Sequence, residues 1–505
     1  MAFQLSPGIS VSELDLTSVV PAVSTTTGAI AGVFAWGPVL EPILVSSEVE
    51  LVKRFGKPTT NLNIETFFTA ADFLSYSNSL YVSRANTGVT AANTTLTNVV
   101  GEASIRAKYP GLYGNSIRVV YTAKGSDTGA NAIITDITST PESDCVNIAI
   151  IDALGVFTGV TNGVLEVYEN VAANNSSTNA QLADGTNNYW LEVINTKSNY
   201  ITVANTAATP SFASAGDVTL SGGNDGTGES TISVTALFDA YNVFKNPDDV
   251  DISLILQGKA RGLDNATELA DWIAGIAADR MDAIAFISPD KDDVVGAADP
   301  KTNVVAFANS ISASSYAVLD SGYKYRYDRY NDRYVYTPLN GDIAGLCART
   351  DNTNDPWFSP AGYNRGNIKN VIKLAYNPSK ADRDALYSVA VNPVITQPGQ
   401  GTILFGDKTA LKRPSAFVRI NVRRLFIVLE KAISRASKSM LFEFNDEFTG
   451  AQFRNMVEPF LRDVQGRRGI YDFKVVCDDT NNTAEVIDRN EFRGDIYIKP
   501  ARSIN

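Results

Sequence analysis

Ile252-Ser-Leu-Ile-Leu-Gln257 is a continuous apolar run, followed by a helical stretch from Asn265 to Arg280 and a second run, Ala283-Ile-Ala-Phe-Ile287. Pro300 after Asp299 has the placement of a helix start, and Ala317-Val-Leu319 supplies a third run. Strands that are apolar at every position are buried on both faces, and their alternation with helices predicts a mostly parallel sheet covered on both sides. Upstream, Gly28-Ala-Ile-Ala-Gly-Val-Phe34 and Leu80-Tyr-Val-Ser-Arg84 read as two more strands of the same kind. Between them, Ser47 with Glu50 forms a capping-box signature opening a helix from Val49 to Phe55. A second helix, Glu65 to Tyr76, carries Phe67, Phe68, Ala71 and Leu74 on one side.

From about Thr90 the composition shifts towards Thr, Asn, Ser and Gly. Short alternating runs at 116–123, 146–151, 164–168 and 189–194, separated by turn signals such as Thr161-Asn-Gly163, predict a β-rich module inserted into the α/β unit. Past residue 396 the pattern changes again. Gly399-Gln-Gly-Thr402 and Gly406-Asp407 bracket a short strand, a long helix is expected from about Arg419 to Met440, and strands at 471–477 and 492–499 close the chain. Val422, Leu425, Phe426, Leu429, Ile433, Ala436 and Met440 fall on one flank of that helix, with Arg424, Lys431, Arg435 and Lys438 on the opposite one. The expected organisation is an N-terminal arm (1–20), an α/β middle domain (21–95 and 229–395), an inserted β-rich domain (96–228) and a C-terminal α+β domain with a small sheet (396–505).

The first sixteen residues stand apart. Phe3, Leu5, Ile9 and Val11 alternate as in an extended segment that buries one face, and Leu14 and Leu16 resume the alternation one register out. A strand needs backbone partners, and a hairpin about Pro7-Gly8 has arms too short for stability. Thr17 to Thr27 reads as a tether, so the start of the chain is a β-arm seeking a sheet edge, including one on another molecule.

Composition bounds the function. The chain has 505 residues, 44% hydrophobic and 19% charged, so about two to four globular domains are expected. A net charge of −12 counts against general nucleic-acid binding. No basic region or long apolar run marks a signal peptide at Met-Ala-Phe-Gln-Leu, and no run reaches the roughly 20 apolar residues of a membrane span. Cys145, Cys347 and Cys477 are far apart and odd in number, which suits reduced thiols. Histidine is absent, which removes the usual general base, the commonest metal ligand and the centre of a Ser-His-Asp relay.

Four stretches invite a chemical reading. Gly223-Asn-Asp-Gly-Thr-Gly-Glu-Ser230 matches a phosphate-binding loop except that Glu229 stands where lysine is needed, so a Gly-rich connector is the favoured reading. Asp351-Asn-Thr-Asn-Asp355 resembles the start of a calcium loop but has Pro356 and Gly362 at the positions of its glycine and closing Glu. Ser321-Gly-Tyr-Lys324 fits a short Ser-x-x-Lys pattern without companion motifs. Tyr323 to Tyr336 interleaves tyrosines with Lys324, Arg326, Arg329 and Arg333, which suits an edge strand or interface better than nucleotide stacking. From Thr402 to Phe442 nine Lys and Arg face only Asp407 and Glu430, leaving open a solvated helix face or a dock for an acidic partner.

Longer runs carry a resemblance. Ser6-Pro-Gly-Ile-Ser-Val-Ser-Glu13, Leu220-Ser-Gly-Gly-Asn-Asp-Gly226, Pro338-Leu-Asn-Gly-Asp-Ile-Ala-Gly-Leu-Cys-Ala-Arg-Thr-Asp351, Ser359-Pro-Ala-Gly-Tyr-Asn-Arg-Gly366, Arg419-Ile-Asn-Val-Arg-Arg-Leu-Phe426 and Val486-Ile-Asp-Arg-Asn-Glu-Phe492 are similar to the tail sheath proteins of contractile bacteriophages, close to the T-even-like group. The resemblance covers most of the length outside 96–216. It implies a non-enzymatic virion protein without cofactors, assembled in the host bacterial cytoplasm. Such subunits stack as hexameric rings around a tail tube and contract to drive the tube into the host envelope. The implied partners are other copies, the tube protein, and baseplate and tail terminator proteins, with no nucleic acid and no membrane insertion. The resemblance further implies a subtilisin-like middle domain, terminal arms that pair with the C-terminal sheets of neighbours, and a C-terminal domain facing the tube, which would make Arg424, Lys431, Arg435 and Lys438 docking charges. Family members commonly continue beyond the segment matching Lys499 to Asn505. A hydrolase built on the α/β unit is the competing class, disfavoured by the missing histidine and the broken loop motif.

Overall fold

A computed structural model describes residues 24–503 apart from 61, 97–98, 101–102, 124–139, 206–210, 213–214 and 261–262. The arm residues Phe3, Leu5, Ile9 and Val11 lie outside the described residues.

The apolar runs assemble into one seven-stranded sheet in the order Ile43–Val45, Leu80–Arg84, Gly28–Gly32, Leu254–Leu256, Ile284–Ile287, Ala317–Asp320, Val391–Asn392. Its neighbours are parallel except at the first pair, where Ile43–Val45 runs antiparallel to Leu80–Arg84. Successive side chains point to opposite faces. Ile30, Leu254, Leu256, Ile284 and Phe286 face a core built with Phe67, Phe68, Phe73, Ile343 and Leu346 from helices Ile64–Leu74 and Asn340–Thr353. Ala29, Ala31, Ile255 and Ala285 face the other way, onto Leu237, Tyr241, Leu269 and Ile273 of helices Val234–Asn242 and Leu263–Arg280. Both faces are therefore covered, as all-apolar strands require.

The two helices on the first face approach unusually closely. A Cβ on Gly341 would stand 2.4 Å from the Thr69 carbonyl oxygen, and one on Gly345 would stand 2.4 Å from the Tyr76 ring. These glycines, one helical turn apart, let the 340–353 helix lie directly on the 64–74 helix. Between the helices and an adjoining sheet lies a buried ionic cluster. Lys324 Nζ is 3.0 Å from Asp72 and 2.7 Å from Asp342, and Arg326 pairs with Asp72 while covering the Phe68 ring at 4.3 Å. Two acids and two bases balance, which is how buried charges are tolerated.

That cluster settles the tyrosine-rich stretch. Tyr323–Asp328 is the central strand of a three-stranded sheet, flanked by Arg333–Pro338 and Lys373–Leu374, rather than an edge. Its inward face carries Lys324 and Arg326 into the cluster. Tyr325, Tyr327 and Tyr334 line the outer face, with the Tyr325 and Tyr334 rings stacked at 5.5 Å. Neither base is left to meet a phosphate.

The β-rich stretch forms a four-stranded antiparallel sheet, ordered Gly216–Thr219, Ile117–Ala123, Cys145–Asp152, Gly163–Ala172, beside a three-stranded one, Ile201–Asn205, Ala103–Ala107, Asn93–Thr95. One element differs from expectation. Residues 189–194 begin helix Trp190–Lys197, because Trp190, Val193 and Ile194, at helical spacing, plug the core beneath both sheets. The Gly-rich stretch after Leu220 is the connector back: Gly223 N–H donates to Asn115 Oδ1 at 2.8 Å, and Leu112 N–H donates to Asp225 Oδ1 at 2.7 Å.

The last unit holds helices Ile420–Ser437 and Glu447–Gly466 over a hairpin of Ile470–Val476 and Asp495–Pro500. The second helix is absent from the expected elements. Asp446 caps it, accepting from Thr449 N–H at 2.8 Å, and Phe453, Met456, Val457, Leu461 and Val464 pack on Leu425 and Leu429.

Candidate functional site

The places where an α/β enzyme would work are filled. At the carboxyl ends of the parallel strands, Ser288 Oγ donates to Asp320 Oδ2 at 2.6 Å, and Asn340 donates from both its backbone N (3.1 Å) and Nδ2 (3.0 Å) to Ser288 Oγ. All three residues are fully or almost fully buried. Burial pushes the Asp320 carboxyl up to about 8 against the lowering pull of the Ser288 and Gly322 bonds. Ser288 has no imidazole beside it, since the chain has none.

The phosphate-loop look-alike is filled by its own acid. Glu229 accepts from the backbone N–H groups of Glu65 and Thr66, each at 3.0 Å, in the first turn of helix Ile64–Leu74. The carboxylate thus occupies the anion position of a helix N-terminus. Lys259 Nζ lies 2.7 Å from Glu65 and completes the balance. Burial, then the neighbouring Glu65 charge, push Glu229 up to about 7. The calcium-loop look-alike is likewise consumed: Asp351 lies within helix Asn340–Thr353 and pairs with Arg424, while Asp355 pairs with Arg467. Among the described residues no cluster of His, Cys, Asp or Glu could hold a metal ion, and no helix is long and apolar enough to cross a membrane. All three cysteines are buried, and burial pushes Cys347 up to about 12.

The long basic helix does not present a continuous charged flank, and here the sequence reading is corrected. Arg424 is turned inward: Nη1 and Nη2 grip both oxygens of Asp351 at 2.7 and 2.5 Å, and the side chains are only 4% and 3% exposed. Lys431 is also largely buried, pairing with Asp251 and donating to Ser253 Oγ at 3.1 Å. Arg435 shares Asp251 at 2.5 Å with a half-exposed head, and Lys438 reaches Asp248 at 3.8 Å from solvent. The reason is that the helix is sandwiched. One side packs the C-terminal core, and the other meets the 340–353 helix at Arg424 and the 248–253 segment at Lys431 and Arg435, so Ile420, Ile427 and Val428 are buried as well as the expected Leu425 and Leu429. Burial pushes Asp251 up, but the Lys431 and Arg435 bonds outweigh it and hold the carboxyl below its usual range. Arg424 and Lys431 therefore clamp the C-terminal unit to the rest of the chain and are unavailable to a partner, whereas Arg435 and Lys438 keep solvent-facing heads.

Surfaces that are open lie further along. The hairpin Ile470–Val476/Asp495–Pro500 is a sheet of two strands, so among the described residues both of its outer edges lack a strand partner. Phe473, Val475, Ile496 and Ile498 turn inward onto the core. After the long helix, Leu441, Phe442, Phe444 and Phe448 are all exposed, Phe442 fully. The sequence gives this last surface no periodic signal, because it is a bend between helices.

Family models match over most of the chain: a tail sheath protein domain III N-terminal region at residues 25–85, a phage tail sheath protein central domain at 252–410 and a phage tail sheath C-terminal domain at 412–505. The tail sheath protein of Vibrio phage KVP40 is 33% identical, over 99% of this chain and 97% of that protein. The chain belongs to the phage tail sheath family. Another sheath relative, from Enterobacteria phage T4, is 32% identical over 99% of this chain and 96% of its own length. Solved sheath folds agree at much lower identity. A sheath tail protein from Desulfitobacterium hafniense superposes with a TM-score of 0.60 at 12% identity, covering 99% and 98% of the two chains. The helical sheath of the anti-feeding prophage in its contracted state gives 0.55 at 12%, covering 100% and 98%.

Proposed function

We propose that this sheath-family chain polymerises as stacked hexameric rings around a tail tube, and that contraction of the polymer drives the tube through the host cell envelope. The observation that carries the reading is an unfinished sheet: a two-stranded hairpin with open edges in a chain whose first residues alternate as a strand. A lone hairpin is marginal in water, and a donated strand completes it by β-augmentation. Phe3, Leu5, Ile9 and Val11 supply the buried face of that strand, and the tether from Thr17 spans the gap between subunits.

The same reading takes the seven-stranded unit as a subtilisin-like body that has no catalytic role, and assigns domains at 21–95 with 229–395, at 96–228 and at 396–505. The β-rich unit sits on the outer surface, where insertions are tolerated. Tube docking falls to the solvent-facing heads of Arg435 and Lys438 and to the exposed Phe442, Phe444 and Phe448 beyond them, rather than to Arg424 and Lys431. Baseplate and terminator proteins cap the polymer's ends in the virion tail.

Deleting residues 1–16 tests the core of this reading. The truncated chain is expected to stay folded and soluble, with the melting temperature of the full chain, yet to give no rings or tubes by negative-stain electron microscopy. Normal tubes from the truncated chain would overturn the donated strand. Compact monomers from the full chain at high concentration would overturn polymerisation itself.

A further inference from the structure

Beside the hairpin lies a cleft of about 1030 Å³, walled by Ile470 and Tyr471, by Ala501 to Ser503, by the 357–365 loop and by helix Lys380–Ser388. Five cationic side chains line it: Arg365, Lys380, Arg383, Arg468 and Arg502. Among the described residues none of the five has a carboxylate within ion-pair distance. Only Asp384 and Asp407 share the wall with them, and Asp407 is buried, accepting from Ser503 Oγ at 3.3 Å. With both acids ionised, three positive charges stay unmatched, in a chain of net charge −12.

Three of these cations are held in place. Arg365 donates from Nε to the Ser359 carbonyl oxygen at 2.7 Å and lies 5.5 Å over the Phe358 ring. Arg383 lies 5.3 Å over the Phe405 ring. Arg468 sits just past helix Glu447–Gly466, where the chain turns left-handed with a φ of 67°. Its N–H donates to the Gln465 carbonyl oxygen at 3.0 Å and that of Gly469 to the Val464 carbonyl oxygen at 2.9 Å, the paired bonds that end a helix at a left-handed residue. Glycine is the usual occupant of that place, so the arginine stands there against the preference of the backbone. Four of the five cations are arginines, whose planar forks match the paired oxygens of a phosphate. A linear triphosphate brings about three to four negative charges along one short chain, enough to answer the unmatched cations, where a lone carboxylate is not. The volume is that of a small-molecule site, and Tyr471 and Phe405, 59% and 41% exposed, offer ring surface beside the charges.

We infer that this cleft is a binding site for an oligophosphate, as the inorganic chain or as the triphosphate of a nucleoside, held by Arg365, Arg383, Arg468 and Arg502. Bound there, the anion ties the open end of the hairpin to helix Lys380–Ser388 and relieves the repulsion among the cations. The site is independent of polymerisation and of the terminal arm, so binding is read on the unassembled chain.

The probes are inorganic tripolyphosphate and adenosine triphosphate, each with EDTA, titrated by isothermal calorimetry into full-length chain below its assembly threshold. Both are expected to bind at one site per chain, to raise the melting temperature and to bind more weakly as salt is added. Arg468→Gly and Arg383→Gln are each expected to weaken binding about tenfold or more. Arg468→Gly also supplies the residue that the left-handed turn favours, so its melting temperature without ligand should not fall, which separates lost binding from lost folding. Arg462→Gln, at an exposed position of the preceding helix, should bind like the parent. Tighter binding of adenosine triphosphate assigns a nucleoside to Tyr471 and Phe405; equal or weaker binding assigns the phosphate chain alone. No binding of either probe, or equal weakening by Arg462→Gln, overturns the site. Displacement of tripolyphosphate by an equal concentration of a tetra-aspartate peptide overturns the phosphate assignment in favour of an acidic polypeptide.

Discussion

Arg424 separates two accounts of the long helix, and Arg424→Met is the perturbation that decides between them. As a docking charge, its loss weakens assembly and leaves the isolated subunit untouched. As placed here, its loss strands Asp351, a carboxylate only 3% exposed whose two oxygens both accept from Arg424. Burial already pushes Asp351 up, and Arg424 is the main group pulling it back down. Removing one partner of such a pair costs about 3–5 kcal/mol, because the remaining charge stays buried without compensation. That corresponds to a fall in melting temperature of about 3–10 °C, depending on the size of the unit that melts together, read by differential scanning fluorimetry below the assembly threshold. The deficit should shrink as pH is lowered, since a carboxyl whose folded pKa is raised is penalised only above its unfolded pKa, near 3.9. Adding Asp351→Leu should recover most of the loss, because an apolar pair of similar size needs no charge balance. An Arg424→Met chain that melts with the parent at pH 7 would refute the clamp.

Other expectations follow the same logic. Gly341→Ala forces a Cβ to within 2.4 Å of the Thr69 carbonyl oxygen and should destabilise by about 1–3 kcal/mol in urea titration, with Gly341→Ser no better. Asp320→Asn should flatten the pH dependence of stability: with the folded pKa near 8, the native state holds a proton the unfolded state releases, so the parent loses stability as pH rises from about 4 to 8 and the variant does not. Glu229→Lys restores the phosphate-loop consensus yet should give no nucleotide binding by isothermal calorimetry and a lower melting temperature, because it exchanges the acid capping helix Ile64–Leu74 for a cation facing the same N–H groups.

The central sheet was legible because its strands are apolar at every position, a pattern that depends on burial on both faces and on nothing remote. The connector after Leu220 was legible through its glycines and through the wrong charge at Glu229. Three features escaped for physical reasons. Residues 189–194 alternate well enough to pass for a strand, and only Trp190, Val193 and Ile194 meeting one core reveal the helix. Helix Glu447–Gly466 carried a readable signal, Asp446 as cap and apolar residues from Phe453 to Val464 at helical spacing, but Pro459 lies within it. The fate of the basic residues was not readable at all. A helical flank says which charges share a side and is silent on what stands opposite; Asp351 is 73 residues from Arg424, and Asp251 is 180 from Lys431. The donated-arm residues remain where the sequence left them, as a pattern awaiting a partner.

The two ways this chain joins its parts respond differently to force. Where glycines seat one helix on another, attraction depends on dispersion contacts that fade within about an ångström of separation, so that joint is stiff and then gives way. Where Asp251 draws in Lys431 and Arg435, the Coulomb attraction falls only as the inverse of the separation, so that joint keeps its pull over a longer stretch than a dispersion contact does. A subunit built this way is expected to yield first at its ionic seam and last in its sheet, and because Arg424, Asp351 and Lys431 are buried there, added salt should loosen the seam little.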